Sequence, residues 1–307
     1  MSMLSVIIPA YNEEMLIELI SNKITSVLNS EQIEFEIIFV DDGSTDGTFQ
    51  RIDDLTKMNS NVKGISFSRN FGKEAAIFAG LNAVNSKAEC AVIIDCDLQH
   101  PPELIPRMYD LWKEGYKVVE GVKSNRGKEP LLYKLFSKLF YIIIGKLIEV
   151  KMKDSSDFKL LDISVVKELI QFTERNMFFR GLSSWVGYKS VDLEYEVQPR
   201  KYGKTKWSTK GLIRYAITNI TSFSAVPLQL ITLIGLIFLL FALILGILTI
   251  IHFALGTALG GFTTVILLLI IIGGVIMISL GIIGVYIAKI YDEVKNRPRY
   301  IISKTAG

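Results

Sequence analysis

The first part of the chain alternates short apolar runs with amphipathic stretches. Leu4-Ser5-Val6-Ile7-Ile8-Pro9 is a buried-strand pattern ended by proline, and Asn12-Glu13-Glu14 opens an amphipathic helix to about Leu28. Phe35–Val40 predicts a second strand, closed by Asp41-Asp42-Gly43-Ser44, and the polar run Ser44–Thr48 reads as a cap before the next helix. Val62–Phe67 predicts a third strand, Lys73–Val84 a helix, and Ala91–Ile94 a fourth strand ending at Asp95-Cys96-Asp97. Strands alternating with helices predict a mostly parallel sheet covered by helices on both faces. In such sheets ligands gather beyond the carboxyl ends of the strands, where Pro9-Ala10-Tyr11, Asp41-Asp42 and Asp95–Asp97 all fall.

The pattern then changes. Ser124–Lys128 is a polar loop, and Pro130–Val150 a helix in which lysines interrupt Leu, Phe, Tyr and Ile. A core-packed amphipathic helix and one lying on a membrane surface both fit that spacing. Residues 210–222 form another amphipathic stretch before two apolar segments, Phe223–Phe253 and Phe262–Ala288. Each exceeds the roughly 20 apolar residues that cross a bilayer. Lys201, Lys204, Lys206, Lys210 and Arg214 precede the first, and Lys289, Lys295, Arg297 and Arg299 follow the second, while the link His252–Gly261 holds no Lys or Arg. The positive-inside rule therefore predicts both termini in the cytoplasm. Four parts are expected: a cytoplasmic domain over 1–209, an interfacial helix over 210–222, a membrane domain over 223–288 and a cytoplasmic tail over 289–307.

Composition sharpens this division. An apolar content of 50% and a mean hydropathy of +0.37 are high, but residues 223–288 supply the excess and carry almost no charge. A net charge of +3 without a long basic run argues against nucleic-acid binding. Two cysteines, Cys90 and Cys96, flank one apolar strand, too few for a disulfide framework or a zinc site. Met1–Ser5 runs into a strand with no basic leader, and no signal peptide is expected where the chain carries its own spans.

Asp95 and Asp97 offer hard oxygen donors of the kind that suit Mg²⁺ or Mn²⁺ on a phosphorylated ligand, provided the chain turns tightly between them; Gln99 adds a neutral oxygen. A solvated acidic turn is the plain alternative. The run Asp41–Gly47 reads equally as a capped strand–helix turn or as a carboxylate meeting a base N–H or ribose hydroxyl. Tyr11 could stack on a base and Glu13 hold a ribose. Ser68-Arg69-Asn70-Phe71-Gly72-Lys73-Glu74 places two cations and a glycine before a helix, where anions are attracted, although a capping loop also fits.

Taken together, the segments PAYNEE (9–14), VDDGSTDGT (40–48), FSRNFGKEAAIFAGL (67–81), DCDLQHPPELIP (95–106), SDFKLLD (156–162), RGLSSWVGY (180–188), ITSFSAVPL (220–228) and GVYIAKIYDEVKNRPRYII (284–302) resemble family 2 glycosyltransferases of the polyprenyl-phosphate type, above all the bactoprenol glucosyltransferases. The resemblance spans essentially the whole chain. It implies an α/β catalytic domain of GT-A, Rossmann-like type followed by two transmembrane helices, in a homo-oligomer, with a tetramer as the candidate state. It implies that Pro9, Tyr11, Glu13 and Asp42, with Lys73 and Asp95, bind a nucleotide-sugar, and that Asp95, Asp97 and Gln99 gather the metal. Asp157, with Asp97, is the implied catalytic acidic residue and the usual base candidate. Arg126, Arg180, Arg200 and Lys206 would meet phosphates, with a loop near 124–130 folding over the site. Three departures stand out: His100 where an acid is common, Ser156 before Asp157 where Gly is usual, and Gly203-Lys204-Thr205-Lys206 for Gly-x-Ser-Lys.

The implied reaction is inverting transfer of a sugar to polyprenyl (undecaprenyl) phosphate at the cytoplasmic membrane face. UDP-glucose is the favoured donor, with UDP-N-acetylglucosamine, UDP-galactose and GDP-mannose as alternatives. A non-catalytic membrane scaffold is the competing class, but it leaves the acidic cluster unexplained.

Overall fold

The structure is a computed structural model that describes residues 2–123, 156–174, 178–196, 226–256 and 261–307. Two compact units partition the chain: residues 1–207 with 297–307, and residues 208–296.

In the first unit the strands and helices follow in the order β1 (Met3–Ala10), α1 (Ile17–Ser30), β2 (Phe35–Asp41), α2 (Thr48–Met58), β3 (Val62–Phe67), α3 (Lys73–Asn82), β4 (Ala88–Ile93), α4 (Ile105–Lys113), β5 (Val118–Lys123), β6 (Lys159–Asp162), α5 (Ile163–Gln171), α6 (Phe179–Trp185) and β7 (Ser190–Tyr195). β1, β2, β3 and β4 pair in parallel, with β4 and β2 on either side of β1. β1 and β2 are buried on both faces, as parallel strands covered by helices must be. Leu4, Val6 and Ile8 pack with Ile17, Ile20 and Ile24 of α1 and Met108 of α4. Ile38, Val40 and Phe67 face the opposite way, against Ala76 and Ala79 of α3. That helix lies so close to β1 that a Cβ on Gly80 would sit 2.3 Å from Ile7 Cγ2.

The chain leaves β1 for β2 on one side and later returns to β4 on the other. The crevice beyond β1 and β4 is therefore a topological switch point, where open α/β sheets bind ligands.

Three features differ from the pattern read along the chain. The first helix begins at Ile17 rather than Asn12. Asn12 holds φ 53, and the groups of residues 12–14 bond instead to the loop after β2: Asn12 N–H donates to Ser44 Oγ (2.8 Å), Glu13 N–H to Thr48 Oγ1 (2.9 Å), and Glu14 Oε2 accepts from Gly47 N–H (3.1 Å). Backbone spent on a neighbouring loop is lost to a helix. Second, β6 runs antiparallel between β4 and β5. Third, the tail supplies β8 (Ile302–Ala306), antiparallel to β3, so that the edge of β3 is paired. Tyr300 stacks on Phe67 with centroids 4.9 Å apart, and Ser68 N–H donates to Ile301 carbonyl at 2.9 Å.

The second unit contains α7 (Val226–Ala254) and α8 (Phe262–Val294). Within them Pro227–Ala254 and Thr264–Val294 each have a mean hydropathy of 3.1 and are candidate membrane spans. The second helix continues past Ala288, the end read from the apolar run. Phe223 and the amphipathic stretch 210–222 lie outside the described residues, as do the loop 124–130 and the helix expected over 130–150.

The loop after β2 touches the loop after β3 at Gly43, where φ is +67 and an added Cβ would lie 2.3 Å from the Arg69 carbonyl carbon. Gly43→Ala is expected to destabilise the protein by about 2 kcal/mol or more through overpacking and backbone strain. Thermal unfolding of the detergent-solubilised chain measures it; an unchanged midpoint would mean that the two loops part freely.

Candidate active site

The loops after β1, β2, β3 and β4 meet at the switch point. Pro9 pairs with Val40 one residue before the end of β1, and Tyr11 and Glu13 stand half-buried in the next loop. Asp42 is buried, and its carboxylate accepts from the N–H groups of Phe71 (2.7 Å) and Gly72 (2.9 Å). It thus ties the β3–α3 loop to β2, a task not evident along the chain. Burial pushes the Asp42 carboxyl up to about 6, with the two amides pulling the other way.

After β4 the chain turns at Leu98, which is buried and holds φ 59. A leucine pays backbone strain of about 1–2 kcal/mol in that region, and core burial must offset it. The turn follows directly on the Asp95-Cys96-Asp97 segment. Asp97 Oδ1 accepts from Gln99 N–H at 3.1 Å. His100 is not at the surface as a ligand: it is buried, stacked on Phe158 (5.1 Å between centroids, 8° between planes), with Tyr195 edge-on. Its Nδ1 accepts from Asp95 N–H at 3.4 Å. Burial lowers its pKa, against the pull of Asp95.

The antiparallel register of β6 completes the site. Ile93 pairs with Lys159, so continuing the two strands in opposite directions sets Asp95 and Asp157 at neighbouring positions. Lys73, the first residue of α3, lies between them, with Nζ 2.6 Å from Asp95 Oδ1 and 2.6 Å from Asp157 Oδ2. Arg180 on α6 grips Asp157 with two bonds, Nε to Oδ1 at 2.7 Å and Nη2 to Oδ2 at 2.9 Å. Burial alone would raise the Asp157 carboxyl; Lys73 and Arg180 outweigh it and hold the group well below the carboxylate range. For Asp95 the same contest, burial against Lys73, also ends below the usual value. Asp157 is therefore a poor proton acceptor and a strong anchor for two cations.

Other contacts support this cluster. Ser156, in place of the usual glycine, donates its hydroxyl to Gly121 carbonyl (2.6 Å) and accepts from Phe158 N–H (3.1 Å). Lys159 is fully buried, paired with Glu120 at 3.1 Å and donating to Ser183 Oγ at 2.9 Å; burial lowers its pKa despite Glu120. Glu74 accepts from Phe179 N–H at 2.9 Å. Neither residue was singled out along the chain. A lysine inside Phe158–Leu161 was a legible oddity, but Glu74 carried no signal, because its partner is 105 residues away. Arg126, Arg200 and Lys206 lie outside the described residues.

A divalent cation fits the chemistry of Asp95 and Asp97. Mg²⁺ and similar ions take one or two carboxylates and complete their shell with phosphate and water, without an all-protein cage. No group of three His, Cys, Asp or Glu residues that could hold a metal occurs among the described residues, so the pair would be one side of a site that a diphosphate completes.

Residues 5–170 match the sequence profile of Glycosyl transferase family 2. The chain belongs to this family. The glycosyltransferase is 39% identical over 306 residues to an uncharacterised glycosyltransferase of Synechocystis sp., covering 99% of this chain and 96% of that one. It is 35% identical over 304 residues to the bactoprenol glucosyl transferase of Shigella phage SfII, covering 98% of each. Among solved structures, glucosyl-3-phosphoglycerate synthase from Mycobacterium tuberculosis, in complex with phosphoglyceric acid, matches with a TM-score of 0.50 at 21% identity, over 73% of this chain and 80% of that chain. The fold of the glycosyltransferase is accordingly of GT-A type, an α/β unit with a mostly parallel sheet, and two long apolar helices follow it.

Burial, then the charge on Asp157, pushes the Glu74 carboxyl up to about 7. The ordinary carboxyl values are 3.8 for Asp42 and 4.5 for Glu74. Both are raised in the folded state, so the stability they contribute is complete below those values and is lost as pH climbs through about 6 and about 7. Asp95 and Asp157 act in the opposite sense: their contribution is present above the ordinary value and lost as pH falls. Asp42→Asn is expected to flatten the decline of the thermal midpoint as pH rises through about 6. A decline as steep as that of the unchanged protein would assign it to another group.

Proposed function

We propose that the protein transfers a sugar, glucose from UDP-glucose in the first instance, to polyprenyl phosphate at the cytoplasmic membrane face, with inversion at the anomeric carbon. The observation that carries this reading is the cluster Asp95–Lys73–Asp157–Arg180 at the switch point of a GT-A sheet. The relatives named bactoprenol glucosyl transferase support the lipid acceptor, and the two candidate spans fit a substrate that resides in the bilayer. The basic residues before the first span and after the second favour catalytic unit and termini on the cytoplasmic side.

In this reading an acceptor phosphate oxygen attacks the anomeric carbon, and the bond to the nucleoside diphosphate breaks with its electron pair leaving on the phosphate. The acceptor phosphate has a second pKa near 6, so it arrives largely deprotonated and needs no strong base. That suits an Asp157 whose carboxyl is held low: it positions Lys73 and Arg180, which meet the anionic acceptor and the developing charge. Arg126, Arg200 and Lys206 are further candidates for phosphate contacts. Tyr11, Glu13 and Pro9 border the crevice where a nucleoside would lie, and Asp42 holds the adjoining loop. Asp95 and Asp97, with Gln99, would hold Mg²⁺ or Mn²⁺ on the diphosphate, where the ion supplies Lewis-acid stabilisation of the leaving group.

Membranes carrying the protein, supplied with undecaprenyl phosphate, Mg²⁺ or Mn²⁺ and each of UDP-glucose, UDP-galactose, UDP-N-acetylglucosamine and GDP-mannose, should form lipid-linked sugar from one donor. Asp97→Ala should reduce the rate by at least about a hundredfold, the scale of a lost transition-state electrostatic contact. No product from any donor would refute the enzymatic reading and favour a scaffold.

A further inference from the structure

The reading above gives Arg180 a part in meeting the acceptor, and raises the question of what fixes Arg180 itself. It sits in the first turn of α6, a helix of seven residues that cannot hold its own position through helical propensity. The segment before it, Phe178–Phe179, is held from α3. Glu74 Oε2 accepts the N–H of Phe179 at 2.9 Å, one residue before Arg180, across 105 positions of sequence. Phe179 also packs its ring edge-on against Phe78, one turn further along α3, at 6.4 Å. Glu74 directly follows Lys73, so one turn of α3 presents two adjacent groups. Lys73 bridges Asp95 and Asp157, and Glu74 bonds the helix whose arginine also grips Asp157.

We propose that Glu74 is a positioning residue, which sets the guanidinium of Arg180 by holding the amino end of α6 against α3. The inference rests on the proposed acceptor role of Arg180, and concerns reach rather than charge. An amide N–H is satisfied by any well-placed oxygen, so a side chain of the same length with a neutral carbonyl should serve. A shorter carboxylate should not. Lys159, donating to Ser183 Oγ one turn along α6, adds a second bond to the same helix.

The test compares Glu74→Gln, which keeps the reach and removes the charge, with Glu74→Asp, which keeps the charge and withdraws the oxygen. Both are conservative, and each is made in the full-length protein and checked for folding by thermal unfolding. The expected result is that Gln leaves KM for undecaprenyl phosphate within about twofold, while Asp raises it about tenfold with KM for the donor little changed, the scale of one lost hydrogen bond. Hydrogen exchange of the peptide spanning residues 178–184 supplies a readout independent of catalysis: exchange at its amino end should quicken in Asp and not in Gln. If Gln is the damaging change, or if both variants match the unchanged protein in exchange, the proposal is wrong. If the unchanged protein transfers no sugar at all, the functional reading fails, while the exchange comparison still decides whether Glu74 holds α6.

Discussion

Two carboxylates at neighbouring positions just beyond adjacent strands cannot both stay ionised in a half-buried crevice without a cation between them. At about 4 Å and an effective dielectric near 20, like charges repel by about 4 kcal/mol. Lys73 answers that constraint by contacting Asp95 and Asp157 at once. Because Lys73 opens α3, Asp95 follows β4 and Asp157 precedes β6, one ammonium group ties together three separate stretches of chain. Lys73 is 41% exposed at its side chain, so solvent screens part of the attraction; the bridge matters more for geometry than as a reservoir of stability. Arg180 then joins as a second cation on Asp157, held by two hydrogen bonds that fix its plane.

The arrangement couples binding chemistry to the core. Asp42 spends its carboxylate on the backbone of Phe71 and Gly72, so the loop that delivers Lys73 is fixed from β2. His100 accepts from Asp95 N–H and stacks on Phe158, the residue after Asp157, so one aromatic pair joins the two acidic segments. A cluster supported in this way is held in place by its surroundings, which is the preorganisation the proposed transfer would draw on.

The fold was legible where a single stretch of chain settles its own structure. β1, β2, β3 and α3 were marked by apolar runs, by proline after Ile8 and by the polar run before α2, where Asp46 Oδ1 indeed accepts from Thr48 N–H at 3.0 Å. The apolar helices were legible for the same reason, since length and hydropathy are local quantities. Less legible was the start of α1, because residues 12–14 favour the loop after β2 over a helical turn. Nor did Ile302–Ala306 read as a strand: five half-polar residues have no pattern of their own, and only the open edge of β3 makes them one.

The sequence by itself determined the α/β class, the carboxyl-end edge on which the polar clusters lie, the Asp95–Asp97 pair and the division between a charged unit and two apolar helices. These follow from periodicity and composition, which need no knowledge of distant residues. Tertiary structure alone decided that β6 runs antiparallel beside β4, which sets Asp157 next to Asp95, and that Lys73, Arg180 and Glu74 converge there from α3 and α6. The physical reason is that strand order and register are fixed by long-range packing and hydrogen-bond pairing. A charged residue's partner is whichever opposite charge that packing brings within reach.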